Sequence, residues 1–283
     1  MTAELVAEPP VRHRRLAPRG QEGAPLTAAS TVGLGLAVTW LSVLVLLPLA
    51  AVVVKATGAG WSGFWSALSR PESLAALRLT LLSSLGVTAV NAVMGTVIAW
   101  VLVRDRFRGV RFVEVLIDIP FALPTIVAGL TMLTLYGQHS PIGANLLGTR
   151  RGVLIALLFV TLPFVVRSVQ PVLEALEGDV EEAAESLGAG PVTIFRRVVL
   201  PALAPAIASG AVLAFGRAMG EYGSVILIAG GLDRTQVASS YIYKQIQNYQ
   251  LAEAAATATV LLVISLVVMS SLAWIQRWVA RRG

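Results

Sequence analysis

Long stretches without a charged side chain constrain this chain more than any other feature. No Asp, Glu, Lys or Arg occurs in residues 31–54, 79–103, 119–140, 152–166 or 254–276. A further apolar run starts at Val198 and reaches about residue 229, interrupted by Arg217 and Glu221. A bilayer core of about 30 Å takes about 20 helical residues to cross. Inside lipid the backbone must satisfy its own hydrogen bonds, which leaves helices or a closed barrel. Barrels need segments of about ten residues with alternating polarity, and none is present. The sequence therefore predicts an all-α membrane protein with six transmembrane helices, at 31–54 and then at about 77–103, 115–138, 152–169, 202–229 and 252–276. The fourth is short between its flanking arginines, so its ends must snorkel or its tilt must be small. Composition agrees: the chain is 56% hydrophobic and only 13% charged, against about 25% charged in soluble domains. A soluble enzyme and a disordered chain are excluded. With no cysteine, disulfide scaffolds and thiolate chemistry are excluded too. The histidines, His13 and His139, are far apart, so no metal site is expected.

Positive charge follows topology. Arginines cluster at 12–19, 104–111, 167, 196–197 and 277–282, all on one side if the N-terminus is inside. The other side holds half as many Lys and Arg, so both termini are expected in the cytoplasm. Arg150 and Arg151 run against this trend. They suit either headgroup contact or attraction of anions and of an acidic partner surface. The charge marks topology, and no nucleic-acid partner is expected. Residues 1–30 carry prolines and arginines but no apolar run, which predicts a mobile cytoplasmic tail. In the first outer loop Trp61, Phe64, Trp65 and Leu68 recur at helical spacing. They suit a short helix on the membrane surface or packing on the outer helix ends.

The loop 174–200 between the fourth and fifth spans is rich in acid. Asp179 with Glu182 three residues on is a capping-box pattern. Gly188 suits the left-handed position that ends a helix, and Gly190-Pro191 starts another. That second helix is expected to end at Arg196 and Arg197, with Pro201 and Pro205 opening the fifth span. Ala183 and Ala184 are small enough for close approach to another backbone. The chain has only two lysines, Lys55 and Lys244, and neither sits in a phosphate-cradling G-x-x-x-x-G-K motif. If transport is ATP-driven, hydrolysis must occur on another polypeptide.

Glu182-Ala183-Ala184, Gly188, Val198, Leu200 and Pro201 together resemble the EAA signature of ABC-importer membrane subunits, with valine where that family usually has isoleucine. The resemblance implies that this loop docks on a cytoplasmic ATPase and couples hydrolysis to helix motion. It extends over about residues 72–278. Residues 117–130 from Ile117-Asp-Ile-Pro120, Pro163-Phe-Val-Val-Arg167, and Phe215-Gly-Arg-Ala-Met-Gly220-Glu-Tyr-Gly223 are similar to sulfate/thiosulfate permeases of the T type. That family implies a type I (MetI-like) transmembrane domain in a bacterial cytoplasmic membrane. It also implies a second permease of the W type, two copies of an ABC ATPase and a sulfate/thiosulfate-binding protein. The chain itself is then not an enzyme and binds no cofactor, ATP and magnesium sitting on the ATPase. Molybdate/tungstate permeases are a related alternative. A self-sufficient anion channel or carrier is a different one, opposed by the long cytoplasmic loop.

Arg217 and Glu221, four apart, are expected on one face of the fifth helix. They either help an anion across or form a structural ion pair, because intramembrane charges are costly and face the bundle interior. Gly216 and Gly220 have the spacing of a close helix contact. Asn91 in the second span is either a pathway donor or a structural amide. Pro120 and Pro124 mark a kink or hinge in the third.

Overall fold

The computed structural model describes residues 28–58, 60–105, 107–176 and 178–280. Most of the tail expected over residues 1–30 lies outside them. The chain forms two units, one ending at Leu49 and one starting at Ala50. The first unit holds most of α1, Ser30–Thr57. This helix widens into a π turn at Ser42–Leu46, where Leu47 N–H donates to Ser42 O. Pro48 follows directly, and the wide turn relieves the clash of a proline ring with the preceding turn.

The second unit continues with α2 (Gly60–Leu68), α3 (Pro71–Arg104), α4 (Val110–Ala122), α5 (Thr125–Tyr136) and α6 (Arg150–Ala175). It ends with α7 (Gly178–Ser186), α8 (Pro191–Met219), α9 (Gly223–Ile228), α10 (Ala238–Gln247) and α11 (Leu251–Ala280). No strand occurs among the described residues. Pro71 and Glu72 open α3 and Arg104 closes it, a placement that suits the helix dipole. Thr149 caps α6 by accepting Gly152 N–H at 3.1 Å. The core lies where α3, α6 and α8 meet around Val165, Val166, Val169 and Leu203. Methyl groups at Gly95 and Gly210 would stand 2.8 Å from Val165 atoms, so the three backbones touch closely there.

Five helices are long and apolar enough to cross a membrane: α1, α3, α6, α8 and α11. A sixth span exists if α4 and α5 are taken as one, but they are bent by 116°. The single helix expected at about 115–138 is therefore corrected to two short ones. Leu123 and Pro124 are extended between them, because the residue before a proline avoids helical geometry and Pro124 cannot donate to the ladder. Helix α6 runs past Arg167 to Ala175, longer than the expected 152–169. The fifth span, expected over 202–229, is broken at Gly220–Tyr222 into α8 and α9.

In α2 the apolar residues divide between two surroundings. Phe64 and Leu68 are buried beside Leu77 and Ala256, while Trp61 and Trp65 are more than half exposed. The three rings pack together, Trp61 stacked on Phe64 at 5.3 Å and Trp65 edge-on to both.

Candidate functional site

The acidic loop forms a rigid elbow. Helix α7 ends at Ser186, and Gly188 takes a left-handed φ of +84°. Gly188 N–H donates to Glu185 O at 2.8 Å and Ala189 N–H to Ala184 O at 3.1 Å. This is the paired C-terminal bonding that favours glycine. Pro191 then opens α8 with Gly190 extended before it. Glu182 and Ala183 are exposed on α7 and Ala184 is half-buried. The Asp179 side chain, expected to cap α7, lies outside the described residues, and α7 already starts at Gly178. The second loop helix does not end at Arg197. A π turn at Phe195–Val199, in which Leu200 N–H donates to Phe195 O, carries it through Val198, Leu200 and Pro201 into the fifth span. One continuous helix thus joins the elbow to the membrane. Two contacts tie the elbow to the second span: Arg104 pairs with Glu181, and Trp100 packs edge-on to Phe195 at 5.5 Å. The Arg104 guanidinium also lies 5.6 Å over the Trp100 ring. A cavity of about 390 Å³ opens here, lined by Trp100, Arg104, Glu182, Glu185 and Pro191.

The second locus is the break in the fifth span. Arg217 lies in the last turn of α8, but Glu221 lies beyond the helix, not on its face as the spacing predicts. The two still pair, Arg217 Nη1 to Glu221 Oε2 at 2.6 Å. Glu221 Oε1 accepts Ser224 N–H at 2.8 Å and caps α9. Its carbonyl accepts the Ser239 hydroxyl at 2.6 Å. The carboxylate side chain has no exposure, and Arg217 keeps 33%.

Helix α9 crosses α5 at glycines from both. A methyl at Gly129 would stand 2.6 Å from Gly223 O, and one at Gly223 would stand 2.1 Å from Thr125 Oγ1. The half-helix that follows the break in the third span thus packs on the half-helix that follows the break in the fifth. Within this chain Gly216 and Gly220 do not meet one common neighbour. Gly216 faces Met269 of α11, while Gly220 is open at the helix end.

Asn91 donates from Nδ2 to Thr161 Oγ1 at 2.8 Å and to Leu158 O at 3.1 Å, joining α3 to α6. Pro120 stands inside α4 and Pro124 caps α5, where its carbonyl accepts Ala128 N–H at 3.1 Å. One cluster escaped the sequence reading. Arg167 Nε donates to Asp118 Oδ1 at 2.8 Å and Arg167 Nη1 to Gln170 Oε1 at 2.8 Å. Gln170 Nε2 then donates to Glu114 and Glu174, each at 3.0 Å. This network fastens α4 to α6. Its signal was two intramembrane-edge charges of opposite sign, but nothing local pairs residues 49 apart in sequence.

Residues 91–282 match the family described as the binding-protein-dependent transport system inner membrane component. The chain belongs to this family. The match contains the whole elbow and both broken spans. Among curated relatives of this permease family, the sulfate transport system permease protein CysT of Escherichia coli K12 is 40% identical over 260 residues. That alignment covers 89% of this chain and 94% of the relative. The protein of the same name from Synechocystis is 40% identical over 249 residues, covering 85% and 87%. Among solved structures, a bacterial alginate ABC transporter with its alginate-bound periplasmic protein superposes with a TM-score of 0.74 at 17% identity, covering 88% of this chain and 94% of that one. The inward-facing methionine transporter MetNI gives 0.52 at 19% identity, covering 72% and 96%. These two likenesses establish the fold: this is a multi-pass membrane protein with the transmembrane architecture of ABC importers.

Proposed function

We propose that this chain is the T-type permease subunit of an ATP-driven importer of sulfate and thiosulfate. The observation that carries this reading is its 40% identity to T-type sulfate permeases over nearly the full length of both chains. The elbow supports the second half of the reading. Its exposed acids and small residues on α7, held by a stiff turn and continuous with α8, suit docking to an ATPase and transfer of its motion into the bundle. The partners are a W-type permease, two ATPase copies that hold ATP and magnesium, and a sulfate-binding protein outside. The chain performs no catalysis and holds no cofactor of its own. Both termini face the cytoplasm. Import proceeds by alternating access: the loaded binding protein docks, ATP closes the ATPase dimer, and the elbows pull the bundle open outward.

The test is labelled-sulfate uptake in cells lacking this chain, restored with wild type or with Gly188→Trp. Wild type restores uptake that excess molybdate does not suppress, and Gly188→Trp reaches the membrane but is inactive. Uptake that molybdate abolishes refutes the sulfate assignment, and normal activity of Gly188→Trp refutes the coupling role.

A further inference from the structure

Many hydroxyl side chains in the described helices donate to the carbonyl one turn back, as Thr96, Thr161, Ser168 and Ser265 do. Four buried ones find no partner at all: Ser84, Thr88, Ser224 and Ser240. Ser84 and Ser224 have no exposure, and Thr88 and Ser240 have 7% and 5%. Buried polar groups are normally satisfied, and each exception asks for a reason.

Ser224 and Ser240 stand beside the break in the fifth span, and Ser84 and Thr88 share the α3 face that meets α10 through Thr80. Ser84 lies one turn beyond Thr80, whose hydroxyl accepts the backbone N–H of Ala238, the first residue of α10, at 2.7 Å. Thr88 lies one further turn along the same face. Val87, beside it, packs in one cluster with Ala218, Val225 and Val237. Two of these flank the break, and the third precedes α10. Ser224 is the second residue of α9 and bonds Glu221 through its N–H only. Ser240 stands in the first turn of α10, next to the Ser239 that holds the Glu221 carbonyl. Beyond its ion pair, Glu221 Oε2 also lacks a hydrogen-bond donor.

We propose that Ser84, Thr88, Ser224 and Ser240 are the donors of an oxyanion cradle, closed on itself here and filled when α9 and α10 together move away from α3, which α10 touches through Ala238 and Thr80. This inference rests on the oxyanion-importer reading above. Neutral hydroxyls suit a tetrahedral dianion in transit. They replace part of its hydration shell without the full opposite charge that would trap it, and a conducting site must release what it binds. The unwound residues Glu221 and Tyr222 supply the joint; Arg217 beside them is already paired with Glu221 at 2.6 Å, so the pair adds no net charge and the hydroxyls are the donors. The hydroxyls are withheld from the backbone because the ligand needs them.

The chain contains no cysteine, so single-cysteine variants at the four positions report cleanly. The experiment uses the complete complex in proteoliposomes and reads modification of this chain by a sulfonate-bearing methanethiosulfonate. Thr88→Cys and Ser224→Cys react slowly at rest and at least about tenfold faster with ATP, vanadate and loaded binding protein, because a buried thiol is out of the reagent's reach until the cradle opens. Sulfate slows the reaction and chloride does not. Val87→Cys stays unreactive. Failure to react in either state, or reaction that no oxyanion slows, overturns the cradle while leaving the permease reading intact. Protection by molybdate but not sulfate upholds the cradle and overturns the sulfate reading. A second pair of variants guards against misfolding. Ser84→Ala and Thr88→Val raise the complex's Tm, because an unsatisfied group is lost, while uptake at low sulfate falls about tenfold. Unchanged uptake, or a fall in both quantities, refutes the proposal.

Discussion

The ion pair at the broken span gives an asymmetric prediction, because its members are unequally buried. Glu221 has no side-chain exposure and Arg217 has 33%. Arg217→Gln therefore strands a carboxylate in the interior, and stripping one partner from a buried pair costs about 3–5 kcal/mol. Glu221→Gln leaves a cation that is not enclosed, since a third of its side chain is exposed. Its amide oxygen also keeps the bond from Ser224 N–H, which sits at 2.8 Å. The loss there is about 1 kcal/mol, the worth of charge assistance in a partly exposed pair. With about 2–4 °C of Tm per kcal/mol for a chain of this size, Arg217→Gln lowers Tm by about 10 °C and Glu221→Gln by about 3 °C. The double variant leaves no bare charge and returns close to Glu221→Gln. Thermal unfolding of the purified complex, followed by size-exclusion fluorescence, reads all three. Equal losses for the two single variants, or a double loss equal to their sum, refute the argument that burial of the carboxylate governs the pair.

Other outcomes follow from contacts at the same loci. Gly223→Ala places a methyl against Thr125 Oγ1 and 2.9 Å from Ile126 N. It costs about 1–3 kcal/mol of overpacking and cuts the yield of folded complex, whereas Gly220→Ala, whose methyl meets only Gly216 O at 3.9 Å, leaves yield unchanged. At the elbow nothing surrounds a methyl at Gly188, so only its φ of +84° matters. Gly188→Ala costs about 1–2 kcal/mol and weakens stimulation of ATPase activity by loaded binding protein. Gly188→Asn, which tolerates the left-handed region, retains more of that stimulation, and a result in the reverse order contradicts the account. Asp118→Ala frees Arg167 from its paired carboxylate. With both side chains over a third exposed, the loss is about 1 kcal/mol, read as a drop in Tm of a few degrees.

What was legible in the sequence was what local chemistry encodes. Charge-free stretches gave α1, α3, α6 and α11, because lipid solvation acts on each segment alone. The elbow was readable because Gly188 permits the left-handed angle and Pro191 presets its own φ, both local properties. The breaks were not readable. Hydropathy treats 115–138 and 202–229 as unbroken apolar runs, and Pro124 or Gly220 signals a bend without its size. The 116° turn between α4 and α5 and the exit of Glu221 from its helix accompany the Gly129–Gly223 crossing, a contact between distant segments. The π turn at Phe195–Val199 was missed for a related reason: Pro201 reads as a helix start, yet the chain absorbs it by widening one turn. Arg167 with Asp118, and the unsatisfied hydroxyls around the break, are likewise facts of packing.

The most direct test of the central claim is sulfate accumulation in proteoliposomes holding this chain with its W-type partner, the ATPase dimer and the binding protein. The account predicts accumulation that requires ATP and binding protein together, and none from this chain reconstituted alone. Sulfate flux through the isolated chain, or accumulation by the complex without ATP, would contradict it.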